Sequence, residues 1–306
     1  MFHKEDDNPF KYYDPRGLGC YKELKVPSRV CIPTTDDGAW EHFPKHRWVY
    51  NKLEVALSQH LRCAPVGVEP KEFPVFLKPI TNLYGAGLSS SLISSPQEYE
   101  KKKHLSGHFW TEYLQGDHLS HDLIVIDGEV VFNLTFKGEK LGQGMFDYWE
   151  TIETPVSTAY VSSWVKKNLS DYTGTVNLET IDSKIIECHL RMGDIDRLGN
   201  IQLMQSIIDI YAGKSWTFQE RLPHLYIFAL WGDWNVDYRI EKSTAEEIGK
   251  NLTCYQIDKP DLYFQNPPGG VRLAITCSHN KEDALKARYK LYEHFSPKPR
   301  KPKITY

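Results

Sequence analysis

Two short stretches, Gly174-Thr175-Val176-Asn177-Leu178-Glu179-Thr180-Ile181 and Lys184-Ile185-Ile186-Glu187-Cys188-His189-Leu190, are separated only by Asp182-Ser183. Two strand-like runs that close together read as an antiparallel hairpin with a tight turn. Side chains alternate between faces along a strand, so Asn177 and Glu179 share one face. Glu187, His189 and Arg191 share one face of the partner. The hairpin can therefore bring the Glu179 and Glu187 carboxylates together. Two carboxylates with a further N or O donor suit Mg2+, a hard ion that takes carboxylate and phosphate oxygens. Arg191 has the planar fork that holds a carboxylate or an acyl phosphate through two bonds. Taken alone, the same alternation fits a solvated surface hairpin equally well.

Around this unit the chain reads as an ordinary globular protein. Its 306 residues suffice for about two domains at roughly 100–200 residues each. Hydrophobic residues make up 41% and charged residues 25%, so disorder is not expected. A net charge of −3 argues against a nucleic-acid or membrane surface. No run of 18 apolar residues is present, and Met1-Phe2-His3-Lys4-Glu5-Asp6-Asp7 is no secretory signal. Cysteines 20, 31, 63, 188, 254 and 277 are widely spaced with no CxxC pair, as expected for reduced thiols in a cytoplasmic protein.

Residues 1–45 hold one expected strand, 29–33, and little other periodicity. Residues 47–62 have helical spacing (Val49, Leu53, Ala56, Leu57, Leu61), and 73–77 form a short apolar strand. Ser95-Pro96-Gln97-Glu98 has the pattern of a capped helix start. Strands are expected at 108–114, 119–126 and 129–136, the last two joined by Asp127-Gly128. A glycine-containing loop is expected over 138–155, and helices over 156–168 and 201–211. Strands follow at 224–231, 235–240 and 271–277, then a final helix over 281–295.

Two further places carry candidate chemistry. Lys78 ends the 73–77 strand and precedes Tyr84-Gly85-Ala86-Gly87-Leu88-Ser89-Ser90-Ser91. A lysine beside a flexible glycine loop is a phosphate-binding arrangement, because backbone N–H groups can approach the phosphates. A mobile surface loop has the same composition, and there is no GxxxxGK[ST] or GxGxxG. Glu112-Tyr113-Leu114, followed by Gly116-Asp117-His118, can offer backbone groups to an adenine edge and polar groups to ribose hydroxyls. An ordinary turn looks the same. His104, His108, His121, His224 and His279 have no metal-site spacing, and no GxSxG is present, which disfavours hydrolase chemistry.

The order of these pieces resembles the ATP-grasp superfamily. Phe73-Pro74-Val75-Phe76-Leu77-Lys78-Pro79 is similar to its nucleotide-binding lysine strand, and Asn51-Lys52 to its first lysine. Thr111-Glu112-Tyr113-Leu114-x-Gly116-x-His118 is similar to its hinge and ribose motif, and Glu179 with Glu187-x-His189 to its metal ligands. The spacing of Gly174, Asn177 and Glu179 resembles the carbamoyl phosphate synthetases. Arg191-Met192-Gly193-Asp194 and the 269–276 segment resemble the glycinamide ribonucleotide synthetases. The resemblance implies an α+β fold of two subdomains enclosing ATP. It divides the chain into a short N-terminal unit (1–45), a core (46–215) with a lid subdomain at about 73–112, and a C-terminal extension (216–306). It implies a ligase joining a small-molecule carboxylate to an amine or thiol through an acyl phosphate. ATP would meet Lys52, Lys78, Gly85, Gly87, Ser89, Ser90, Glu112, Tyr113, Leu114, Asp117 and His118. Mg2+, or Mn2+, would sit on Glu179, Glu187 and His189. Arg191 would hold the acyl phosphate, with Lys137 as a second candidate. The family pattern has asparagine where this chain has His189, so the alternative is an ATP-binding scaffold without catalysis.

Overall fold

The hairpin belongs to the larger of two antiparallel sheets. The structure, a computed structural model, describes residues 24–27, 30–83, 87–142, 144–258 and 269–303. Helix α1 (Asp36–His42), a 3-10 turn (Pro44–Tyr50) and helix α2 (Lys52–Ser58) come first. A four-stranded sheet follows, built from β1 (Cys63–Pro65), β2 (Val75–Pro79), β3 (Ser91–Ile93) and β4 (His108–Glu112), with helix α3 (Pro96–Glu100) before β4. Its order is β1-β4-β2-β3.

The second sheet has eight strands. These are β5 (His118–Ile126), β6 (Glu129–Gly142), β7 (Met145–Ile152), β8 (Gly174–Ile181), β9 (Lys184–His189), β10 (Tyr226–Gly232), β11 (Cys254–Ile257) and β12 (Val271–Ser278). Their order is β11-β12-β10-β7-β6-β5-β8-β9. Helices α4 (Pro155–Asn168), α5 (Ile201–Tyr211), α6 (Lys242–Gly249) and α7 (Lys281–His294), with a second 3-10 turn (Ile195–Leu198), complete the described chain. Both faces of the large sheet are covered. Leu123, Val125, Val176 and Leu178 pack with Val55, Val161 and Trp164 of α2 and α4. Ile124 and Phe136 pack on the other side with Met204, Ile207 and Ile208 of α5. A strand buried on both faces reads as a nearly continuous apolar run, which is why β5 shows little alternation.

Several local expectations need correction. Residues 30–33 are not a strand: Ile32 is fully buried in the α5 cluster, but this segment pairs with no sheet. Pro33, without an N–H, cannot donate to a ladder. Residues 47–62 are not one helix, because Asn51 is extended and its side chain caps Leu53 and Glu54 N–H. Residues 138–155 are not a loop; they carry the end of β6, all of β7 and the start of α4. Gly138 misled the reading, because a side chain there would collide with Phe146 and Trp149 at 2.7 Å. The glycine serves close cross-strand packing within the sheet. Residues 235–240 make only a single bridge, Arg239 to Ser296. The short strands β1, β3 and β11 and helices α1 and α6 were not anticipated.

Candidate active site

The β8–β9 turn is tight because Asp182 and Ser183 both adopt positive φ, +50° and +59°. Such a turn matches strand twist and fixes the register. Glu179 then stands directly opposite Glu187, and Asn177 opposite His189. On the neighbouring strand Ser120 faces Glu179 and Asp122 faces Asn177. Two polar rows thus cross β5, β8 and β9.

One ligand atom from each of Glu179, Glu187 and His189 lies within 4.8 Å of the others. That is close to the span a single cation with bonds of about 2.1 Å imposes. His189 is 4% exposed, and its Nε2 is buried without a hydrogen-bond partner among the described residues. It lies 3.4 Å from Glu187 Oε2. A divalent cation between these groups would satisfy that nitrogen, so the residues fit one.

Two lysines reach the same place from other elements. Lys52, at the start of α2, puts Nζ 2.6 Å from Glu187 Oε1. Lys78, on β2, crosses from the small sheet to the large one and donates to the Ile186 carbonyl at 2.9 Å. Both residues are 6% exposed. Burial pulls the Lys78 pKa down to about 8, against the opposing charge of Glu187. Burial alone would raise the Glu187 pKa, but Lys52, His189 and Lys78 outweigh it and hold the carboxyl well below its usual range. Burial likewise works upward on Glu179, where the hydrogen bond and charge of His118 prevail and lower its pKa. The His118 Nε2–Glu179 Oε2 distance is 2.8 Å. These carboxylates stay ionised, as metal ligands must.

Arg191 is tied to Asp36, its Nε 3.2 Å from Oδ1. The same Oδ1 lies 3.0 Å from His189 Nδ1. Burial opposes ionisation of Asp36, but Arg191 and His189 overcome it and bring its pKa to about 2. Burial works downward on His189, yet Asp36 raises its pKa to about 9. Asp36 escaped the sequence reading, which expected no helix in this stretch; it opens α1, where the Thr35 side chain accepts from the Gly38 N–H. Lys140 was also missed; it lies within electrostatic reach of Glu179.

The remaining candidates lie around this centre. Gly87 and Ser89 have positive φ, +62° and +57°, and Ser90 N–H closes the turn on the Gly87 carbonyl. A Cβ on Gly87 would come 3.8 Å from Gly144 Cα, which brings this loop to the β6–β7 turn. Gly85 lies outside the described residues. The Glu112 carboxylate is engaged by Arg62, at 3.0 Å from the backbone N–H and 3.4 Å from Nε. Tyr113 is exposed, and Leu114 packs on the apolar cluster of Ala56, Leu61 and Phe109. Lys78 stands over the Phe109 ring of that cluster. Asp117 pairs with Lys137 at 2.9 Å, both substantially exposed. His118, anticipated at a ribose, stands on Glu179 instead of in an open turn.

Compared by sequence, the chain matches no family profile and no curated protein. Its structure is similar to that of phosphoribosylamine–glycine ligase from Thermotoga maritima, with a TM-score of 0.60 at 15% identity over 91% of this chain and 86% of the other. Biotin carboxylase from Campylobacter jejuni, in complex with an ATP analogue, gives a TM-score of 0.59 at 12% identity over 87% and 74%. N5-carboxyaminoimidazole synthase from Aspergillus clavatus, with ADP and an aminoimidazole ribonucleotide, gives 0.58 at 11% identity over 87% and 76%. These neighbours are ATP-grasp enzymes. With a four-stranded and an eight-stranded antiparallel sheet, and Lys78 reaching from the first to the second, the chain has the ATP-grasp fold.

Proposed function

We propose that the protein is an ATP-dependent ligase that joins a small carboxylate to an amine or thiol. The observation that carries this reading is the convergence of Lys52 and Lys78 on the Glu179–Glu187–His189 cluster. Phosphoryl transfer asks for little else than positive charge, a divalent ion and positioning. Residues 46–215 would form the core, with 73–112 as its lid and 216–306 as its extension. ATP would lie between the two sheets. Lys52 and Lys78 would neutralise its phosphates, and the Gly85–Ser90 loop would close over them. The base would rest near Glu112, Tyr113 and Leu114, with Asp117 and His118 as polar neighbours. Glu179, Glu187 and His189 would hold Mg2+ or Mn2+, which would offset charge on the phosphates. The substrate carboxylate would take the γ-phosphoryl group with loss of ADP, and the amine or thiol would displace phosphate from the acyl phosphate. Arg191 would bind the acyl-phosphate oxygens through the N–H groups that its bonds to Asp36 and the Met192 carbonyl leave over. Lys137 is the second candidate for that role.

One observation favours a scaffold without catalysis: Lys52 is paired with Glu187, and Arg191 with Asp36, inside the chain itself. A single experiment separates the two readings. The protein is incubated with ATP, a divalent ion and a panel of 18O-labelled carboxylates with amines or thiols. The ligase reading expects ADP and 18O-containing phosphate, abolished in a folded Glu187→Gln variant. ATP binding without ADP formation under any combination would favour the scaffold.

A further inference from the structure

Among ligands for a Mg2+ site an imidazole is out of place, since Mg2+ prefers hard oxygen donors and keeps several waters. Here the imidazole is also held in a particular orientation. His189 sits on β9 and Asp36 on α1, about as far apart in sequence as half the chain, yet both are buried, 4% and 8% exposed. Asp36 Oδ1 lies 3.0 Å from His189 Nδ1. An ionised carboxylate only accepts, so Nδ1 must carry the proton. A cation bound there would displace the second ring proton from Nε2, the buried nitrogen without a hydrogen-bond partner among the described residues that faces Glu187 Oε2, and would take its lone pair. A carboxylate behind a histidine is the arrangement that fixes tautomer and ring orientation in metal-ligating histidines and raises ligand basicity.

Asp36 is itself firmly placed. Thr35 caps its helix, and Ala39, one turn on, is fully buried in the core under α2 and α4. The Arg191 fork spans both its oxygens, at 3.2 and 3.5 Å. Its orientation therefore does not depend on a bound ion.

We propose that Asp36 is a positioning residue that, through His189, makes the Glu179–Glu187–His189 cluster select a first-row transition-metal ion over Mg2+. The proposal rests on the reading of this cluster as the metal site. Imidazole suits transition ions, whereas an asparagine oxygen at this position would leave an all-oxygen set suited to Mg2+. The selectivity resides in the ligand set, and Asp36 supplies the geometry that lets the imidazole take part.

The test uses the full chain with Mn2+ as the probe, titrated by electron paramagnetic resonance in the presence of a non-hydrolysable ATP analogue, with Mg2+ as competitor. The wild type is expected to bind Mn2+ at least about tenfold more tightly than Mg2+ and to show 14N hyperfine coupling from one imidazole. His189→Asn should lose the coupling and most of the preference while still binding Mg2+. Asp36→Asn should weaken Mn2+ about 10–100-fold, the range seen when such outer partners are removed, with a smaller change for Mg2+. Circular dichroism of both variants separates loss of site from loss of fold, and His189→Asn tests the claim should Asp36→Asn not fold. Equal Mn2+/Mg2+ ratios in wild type and His189→Asn, or Mn2+ binding without 14N coupling, would overturn the proposal while leaving the metal site in place. No binding of either ion by the wild type would instead remove the metal site itself.

Discussion

Lys78 has a place in the fold itself and, under the proposed function, would also meet the nucleotide. Its ammonium is buried, caps the Ile186 carbonyl and stands over the Phe109 ring. A buried cation is costly unless paired, and the charges of Glu187 and Glu179 offset part of that cost. Lys78→Ala should weaken ATP binding. Charge-assisted hydrogen bonds contribute about 1.5–3 kcal/mol, so calorimetry should show an affinity loss of roughly tenfold or more. Equal affinity would mean that the lysine does not touch nucleotide. His121 makes a second prediction. It is fully buried, with Thr135 on Nδ1 and Thr180 and Ser157 on Nε2, and burial pulls its pKa down to about 4. The unfolded ring titrates near 6.5, so between about pH 6.5 and 4 the unfolded state binds the extra proton and stability falls as pH falls. The loss is of order 3 kcal/mol. Urea midpoints of His121→Gln should fall less steeply over that window than those of the wild type; parallel curves would show that His121 does not drive the trend. At this scale the juxtaposition of Glu179, Glu187 and His189 was legible because hairpin register and strand alternation are local rules. Asp36 was not, because its link to His189 and Arg191 depends on the tertiary fold.

The segment after β9 is held by one carboxylate. Asp122 accepts from the N–H groups of Gly193, Asp194 and Ile195 at 2.7–2.8 Å and from Asn177 Nδ2 at 3.0 Å. Gly193 is required there: a Cβ would fall 2.5 Å from Asp122 Oδ1. Burial, helped by Asp194, raises the Asp122 pKa to about 6 despite those bonds. Asp122→Ala would strand three N–H donors and release the turn that follows Arg191. We expect a loss of about 3 kcal/mol or more, read from chemical denaturation, since each unsatisfied buried donor costs about 1–3 kcal/mol. A change under about 1 kcal/mol would show that the turn holds itself. Elements were legible where periodicity or capping dominates: α5 matches its expected bounds, and Ser95 caps α3 by accepting from Glu98 N–H. They were missed where packing overrides composition. The glycine-rich 138–144 stretch joins β6 to β7 in the sheet, and α6 with its neighbour β11 carries no strong local pattern.

At the scale of the molecule, β10 and β12 extend the sheet that carries the site, and α7 locks them to it. Arg288 of α7 meets Asp147 of β7 at 2.7 Å, and both are 1% exposed. Arg288 also lies over the Phe228 ring of β10. Removing one partner of such a pair leaves a buried charge, so Arg288→Ala should lower stability by about 3–5 kcal/mol. An unchanged denaturation midpoint would contradict a load shared between α7 and the sheet. The strand order was not legible, because β7 pairs with β10 across the whole of α4, β8, β9 and α5, and no local pattern announces such a partner. The resemblance nevertheless pointed to the architecture, since it rests on the order of motifs along the chain. The central claim is that nucleotide binds between the two sheets with a divalent ion on the hairpin. It is tested most directly by titrating the intact protein with ATP in a calorimeter, with and without Mg2+ or Mn2+. The account predicts one ATP per chain, bound markedly more tightly when either ion is present. Absence of ATP binding with both ions supplied would contradict it.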